Sequence, residues 1–186
     1  MKIRIARMCY PVHTLGPGNR VGIWLPGCSK NCPGCISPDF QSEKAGREMD
    51  LQDILSFLFA RKDSIDGFTI SGGEPFTQKE ALAELVSEIR SISEDIILFS
   101  GFTYQELIAM KDASVDRVLS LIGLLVDGPY VEEMNDGKGM RGSGNQNFIR
   151  LNHPEYYEHL ENWKRNLQVM MYQDKLISIG IPGEIR

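Results

Sequence analysis

Apolar residues along the chain fall into two alternating spacings. Short, nearly continuous apolar or β-branched runs at residues 21–25, 67–71, 96–99 and 124–126 predict buried strands. Between them, apolar residues three and four apart predict helices. Leu51, Ile54, Leu55 and Leu58 follow Asp50 as a helix cap, and Leu82, Leu85, Val86 and Ile89 follow a capping box of Thr77 and Glu80. A second capping box, Thr103 with Glu106, opens a helix running to about Met110. Residues 2–6 alternate cation and apolar residue, as an edge strand would. Gly16-Pro17-Gly18 is a turn. Residues 137–147 hold four glycines and no apolar period, so they read as a loop. Residues 154–163 are expected to be helical, and 169–172 with 176–179 to form a hairpin around Gln173-Asp174.

Strand followed by helix, repeated four times, implies an α/β chain with a parallel sheet and helices on its outer face. Four units are too few to close an eight-stranded barrel. The expected fold is therefore an open, partial (βα) barrel in a single domain spanning 1–186. Residues 1–150 would form the core and 151–186 a C-terminal helix and β-hairpin extension. Sites in such sheets lie at the carboxyl ends of the strands. The loop at 28–35, the Gly72-Gly73-Glu74-Pro75 turn, Ser100-Gly101 and Asp127-Gly128-Pro129 all fall at predicted carboxyl ends, and this convergence says more than any one motif.

Composition narrows the classes. Hydrophobic residues at 42% and charged residues at 24% suit a soluble globule and exclude collagen-like or disordered chains. The longest apolar runs, 54–60 and 121–126, fall far short of the roughly 20 residues of a membrane span. The amino-terminal stretch has no apolar core with a small-residue cleavage site, so a cytoplasmic location is expected. A net charge of −5 argues against nucleic acid as a partner.

Three of the four cysteines, Cys28, Cys32 and Cys35, fall within eight residues, and the fourth is Cys9. Convergent thiols in a reducing compartment point to a metal or redox centre rather than a disulfide framework. A structural zinc needs four ligands, with Cys9 or His13 completing the set. An iron–sulfur cluster held by three thiolates would leave one iron open to another ligand. The residues by themselves leave both readings standing.

The Cys28-x3-Cys32-x2-Cys35 spacing, together with the Gly72-Gly73-Glu74-Pro75 turn some forty residues on, resembles the radical S-adenosylmethionine (radical SAM) superfamily. The resemblance implies one 4Fe-4S cluster held by Cys28, Cys32 and Cys35. It also implies SAM chelated through its methionine end to the open iron, with its amine on the glycine turn. Further segments narrow it. Gly16-Pro17-Gly18-Asn19-Arg20, Ser100-Gly101-Phe102-Thr103, Val126-Asp127-Gly128-Pro129-Tyr130 and Arg141-Gly142-Ser143-Gly144-Asn145-Gln146 are similar to glycyl-radical-enzyme activating proteins. The likeness is strongest to the small activators of anaerobic (class III) ribonucleotide reductase. It implies an oxidoreductase that cleaves SAM reductively and uses the 5′-deoxyadenosyl radical to make a glycyl radical on a partner, with a flavodoxin or ferredoxin as electron donor.

On that resemblance Gly34, Cys35, Ile36, Gly72, Gly73, Glu74 and Ser100 would meet SAM, while Asp127, Asn145 and Gln146 would lie near SAM or the substrate peptide. A side chain at Gly73 is expected to project where the methionine end of SAM lies. The wider superfamily often has an aromatic residue before the third cysteine; Gly34 stands there, as the small activators allow.

Plainer readings accompany several of these residues. Cys9 suits a small buried hydrophobe. His13, His153 and His159 are scattered singly. Asp127 can cap a turn, and Asn145 and Gln146 can brace a loop. The competing enzyme reading is a radical SAM enzyme acting on a small molecule, such as a deazapurine synthase, or on a ribosomal peptide. The non-enzyme reading is a zinc-binding or electron-transfer module. Little length remains for a cap over a small molecule, so an open mouth suited to a macromolecular partner is expected.

Overall fold

In the computed structural model, which describes residues 1–183, the four apolar runs form the parallel centre of a six-stranded mixed sheet. In chain order the first elements are β1 (Lys2–Ile5), β2 (Arg7–Val12), β3 (Arg20–Leu25), β4 (Arg47–Asp50) and α1 (Leu51–Phe59). They are followed by β5 (Gly67–Gly72), α2 (Lys79–Ile89), β6 (Ile96–Phe99), α3 (Tyr104–Ala109), α4 (Ala113–Leu121) and β7 (Leu124–Asp127). The last are β8 (Asn147–Arg150), β9 (Leu167–Tyr172) and β10 (Lys175–Gly180). The sheet order is β2-β3-β5-β6-β7-β8, with β2 and β8 antiparallel at the two edges.

Alternation along the central strands sends side chains to two different cores. Ile23, Phe68, Ile70, Ile96, Leu98 and Leu125 face the helices and pack with Leu55, Leu58, Leu82, Val86 and Val118. Trp24, Ile97, Leu124 and Val126 face the opposite side. There they meet Cys9 and Val12 from β2, and Tyr157, Leu160, Ile179 and Ile181 from the C-terminal segment. The extension is thus the cover of the sheet's second face. Gln168 bonds Pro11 and His13, and Thr14 donates to the Ile179 carbonyl, so the hairpin is anchored along β2.

Local signals explain most element ends. Asp50 caps α1 through Gln52 N–H, and Thr103 and Glu106 form the predicted capping box at α3, each cap contributing about 1 kcal/mol. The hairpin turns at Gln173 and Asp174, both with positive φ, as a tight two-residue turn requires. Two expectations, for Thr77 and for residues 154–163, are corrected. The strand at 2–6 is an edge strand of a separate two-stranded sheet with β4, and it touches the main sheet where Ala6 N–H donates to the Trp24 carbonyl; the main sheet's own edge there is β2. Thr77 does not cap α2; its hydroxyl donates to the Glu74 carbonyl, and Glu74 caps the short turn Pro75–Gln78 instead. Residues 154–163 are two 3-10 turns, Pro154–Tyr157 and Leu160–Asn162, interrupted around His159. Helix α4, capped by Asp112, and strand β8 were not expected from the sequence pattern.

The amino-terminal end of the sheet is locked by Arg20. Its guanidinium is fully buried and bonds Asp95 at 2.5 and 3.0 Å, Thr69 at 2.7 Å and the Phe68 carbonyl at 2.6 Å. Tyr157 donates to the same Asp95 carboxylate at 2.9 Å, so the extension joins this lock. Among the described residues no helix is long and apolar enough to cross a membrane.

Candidate active site

The carboxyl ends of β3, β5, β6 and β7 open into one cleft of about 250 Å³. Cys28, Cys32 and Cys35 all line it, each half-buried and each a free thiol. The loop that carries them leaves β3 through Pro26-Gly27 and is pinned by the residues just beyond it. Gly27 N–H donates to the Phe40 carbonyl and Cys28 N–H to the Gln41 carbonyl, both at 2.9 Å. Within the loop Cys35 N–H donates to the Cys32 carbonyl at 3.3 Å, and Ser37 N–H reaches the Cys35 sulfur at 3.4 Å. Burial pushes the Cys35 thiol up, with the Ser37 N–H opposing. Among the described residues no three His, Cys, Asp or Glu side chains close on the position of a single metal ion.

Cys9 belongs elsewhere. It is buried in the core beneath the cleft, opposite Gly22 on β3, and burial raises its thiol pKa to about 11 against the pull of Arg7. His13 is exposed and bonds the Gly18 carbonyl. Neither lines the cleft.

The Gly72-Gly73-Glu74 turn packs backbone to backbone against the cysteine loop. Gly73 N–H donates to the Leu25 carbonyl at 2.8 Å and Glu74 N–H to the Gly27 carbonyl at 2.7 Å. Gly72 takes a φ of +130°, and a Cβ there would run into the Leu25 peptide. A Cβ on Gly73 would strike the Gly27 carbonyl and lie 2.6 Å from the Phe40 carbonyl oxygen. The expectation that a side chain at Gly73 would project toward a ligand is therefore corrected: it would wedge the turn off the cysteine loop.

Glu74 is fully buried and turns away from the cleft. Its carboxylate accepts from Phe76 N–H at 3.0 Å, Gly101 N–H at 2.7 Å and the Ser100 hydroxyl at 3.1 Å. Burial raises its pKa, and the three donors oppose that shift. Glu74 thus ties the end of β5 to the end of β6 and holds Ser100, which does line the cleft. Asp127, at the end of β7, makes the corresponding tie. Its carboxylate accepts from Tyr104 N–H at 2.6 Å and from the Asn147 side chain at 2.9 Å, joining the start of α3 to β8.

Gln146 lines the cleft and braces its own loop, accepting from Gly142 N–H at 2.7 Å and donating to the Gly128 carbonyl at 2.8 Å. Asn145 donates to the Pro129 carbonyl at 2.8 Å and lies outside the lining. Ile36 lines the cleft, whereas Gly34 is exposed, with a φ of +66° and the Glu132 carboxylate where its Cβ would be.

Several cleft residues escaped the sequence reading. Lys30, inside the cysteine loop, pairs with Glu106 at 3.1 Å and stacks 4.1 Å from the Phe102 ring, latching that loop to the β6–α3 turn. Its place between Cys28 and Cys32 was the available signal. Arg7 and residues 178–181 also form some of the wall, so the extension contributes to the site rather than standing apart from an open mouth. Arg165 is buried and donates to the carbonyls of Lys138, Gly139, Arg141 and Gly142, which shapes the glycine-rich loop. No local pattern marks an arginine whose acceptors lie so far back in the chain.

Comparison with known proteins agrees with this geometry. The model of the 4Fe-4S single cluster domain family matches residues 14–149. The anaerobic ribonucleoside-triphosphate reductase-activating proteins of Vibrio cholerae and Escherichia coli K12 are each 32% identical to the chain, covering 74% of it and 92% of their own length. The protein of that name from phage T4 is 26% identical, over 70% of the chain and 83% of its own. A cysteine-lined cleft within the matched span, and relatives covered almost end to end, place this chain in the family of anaerobic ribonucleoside-triphosphate reductase-activating proteins.

Proposed function

We propose that the chain is a radical SAM activase: it cleaves SAM reductively and places a glycyl radical on an anaerobic ribonucleoside-triphosphate reductase. The observation that carries this reading is the shared cleft, where three free thiols face the glycine turn and the ends of the parallel strands. The donor set fits a 4Fe-4S cluster, because three thiols line one cleft that neither Cys9 nor His13 reaches, which would leave one iron for an outside ligand. Cys28, Cys32 and Cys35 would hold the cluster, and the six-stranded sheet would be the open partial barrel of that superfamily. Such a cluster, when bound, supplies the single electron that breaks the bond between the SAM sulfonium and C5′.

The chain's own residues bind, orient and exclude water. The backbone at Gly72 and Gly73 borders the methionine end, held at fixed depth by the bonds of Gly73 N–H to the Leu25 carbonyl and of Glu74 N–H to the Gly27 carbonyl. Ser100 and Gly101 present the end of β6, kept in place by the Glu74 carboxylate. Gln146 and the glycine-rich loop form the side on which a peptide would enter, with Asp127 holding that loop's far end through Asn147. Ile36, Phe99 and Ile181 supply apolar wall that keeps water from a reactive carbon radical. A cytoplasmic setting and a flavodoxin or ferredoxin donor complete the proposal.

Protein reconstituted with iron and sulfide under anaerobic conditions, then reduced, is expected to convert SAM to 5′-deoxyadenosine and methionine in equal amounts, read by chromatography. Cleavage is expected to rise when the reductase is added. A loaded, reduced protein that yields no 5′-deoxyadenosine with or without the reductase would falsify the reading.

A further inference from the structure

The cleft wall holds one cation that nothing in the scheme above uses. Arg7, at the start of β2, sits with its guanidinium 4.9 Å from the Phe40 ring and 5.8 Å from the Tyr172 ring of the hairpin. Two aromatic faces therefore fix the position of the charge. Among the described residues no carboxylate or carbonyl lies within bonding distance of it, although a guanidinium carries five N–H donors in a planar fork. Those donors are not sealed in protein, because Arg7 lines the cleft and is half-buried. The other lining cation, Lys30, already has Glu106 at 3.1 Å. The lining acid, Asp39, is exposed.

A fixed, half-buried fork of donors opening on a ligand cleft matches a planar anion of two oxygens. The stack also gives its place along the cleft. Phe40, which carries the guanidinium, is the residue whose carbonyl pins Gly27 N–H, one position before Cys28. The charge thus stands at the shoulder of the cysteine loop, next to the backbone that the glycine turn also grips.

We infer that Arg7 binds the methionyl carboxylate of SAM, with Phe40 and Tyr172 holding the guanidinium in place. This deepens the function proposed above and rests on it. It also gives the C-terminal hairpin a role in ligand binding, because Tyr172 supplies one of the two faces.

The test measures dissociation constants for SAM and for decarboxylated SAM on the whole, cluster-loaded chain by anaerobic equilibrium dialysis. Arg7→Gln is expected to weaken SAM binding on the order of 10- to 100-fold, as loss of a charge-assisted pair should, and to leave decarboxylated SAM close to unchanged. Arg7→Lys keeps the charge without the fork and is expected to fall between wild type and Arg7→Gln. Iron content equal to wild type shows that each variant is folded and loaded. Equal weakening of both ligands, or of neither, overturns the assignment. So does a variant that binds SAM normally but shows a raised KM for the reductase, since the guanidinium would then serve a carboxylate of the partner. A wild-type protein that binds no SAM is a different failure, and sinks the function reading itself.

Discussion

Replacing Cys28, Cys32 or Cys35 by alanine is expected to drop bound iron from about four per chain, the content implied by a 4Fe-4S family, to near none. SAM cleavage should vanish with it, whereas Cys9→Ala should keep both. The three thiols share one cleft and have no disulfide partner, so on the proposed ligation each loss would open a second coordination position on the cluster. Cys9 lies on β2 beside β3, buried among apolar side chains and outside the cleft that the other three share. A zinc site completed by Cys9 makes the opposite forecast: all four substitutions would behave alike and the purified protein would carry zinc. Metal analysis of the four variants separates the two.

The glycine turn carries the second large effect. Gly73→Ala is expected to lose iron and SAM binding together, through packing. The added methyl would meet the carbonyls of Gly27 and Phe40, which are backbone atoms that cannot swing aside. Overpacking of this kind costs about 1–3 kcal/mol. In a chain of this length that lowers the melting temperature of the iron-free protein by about 2–12 °C. Gly101→Ala is the contrast. Its methyl would meet the Lys30 side chain at 3.1 Å and the Glu74 carboxylate at 3.4 Å, contacts a flexible side chain can relieve. Gly101→Ala should therefore melt near wild type. If Gly73→Ala melts near wild type and retains iron, the turn is not packed against the cysteine loop as described.

The floor of the cleft was legible in the sequence because each segment of it has a local cause. Parallel strands buried on both faces read as short apolar runs, and Pro26-Gly27, Gly72-Gly73, Ser100-Gly101 and Gly128-Pro129 mark where they end. The cysteine spacing needs no tertiary context at all. What escaped depends on contacts between distant segments. Strand β2 has buried residues at Cys9 and Val12, a period of three, because its pairing with β3 shifts register between them. Helix α4 buries only Val115, Val118 and Leu119, a stripe of less than two turns. Glu74 sits in a motif that suggests ligand contact, yet both its oxygens are taken by protein donors, a fact that only the meeting of β5 with β6 reveals. Arg165 and Tyr172 act on segments more than twenty residues away along the chain.

Electron paramagnetic resonance of the reductase itself tests the central claim most directly. The reduced, cluster-loaded chain is mixed anaerobically with SAM and the anaerobic ribonucleoside-triphosphate reductase of the same organism. The account predicts a stable doublet on the reductase that is absent without SAM, absent with the Cys32→Ala chain, and absent when the reductase's radical-bearing glycine is changed to alanine. A reductase that stays free of radical while the same chain rapidly cleaves SAM and converts a small molecule to product would contradict it.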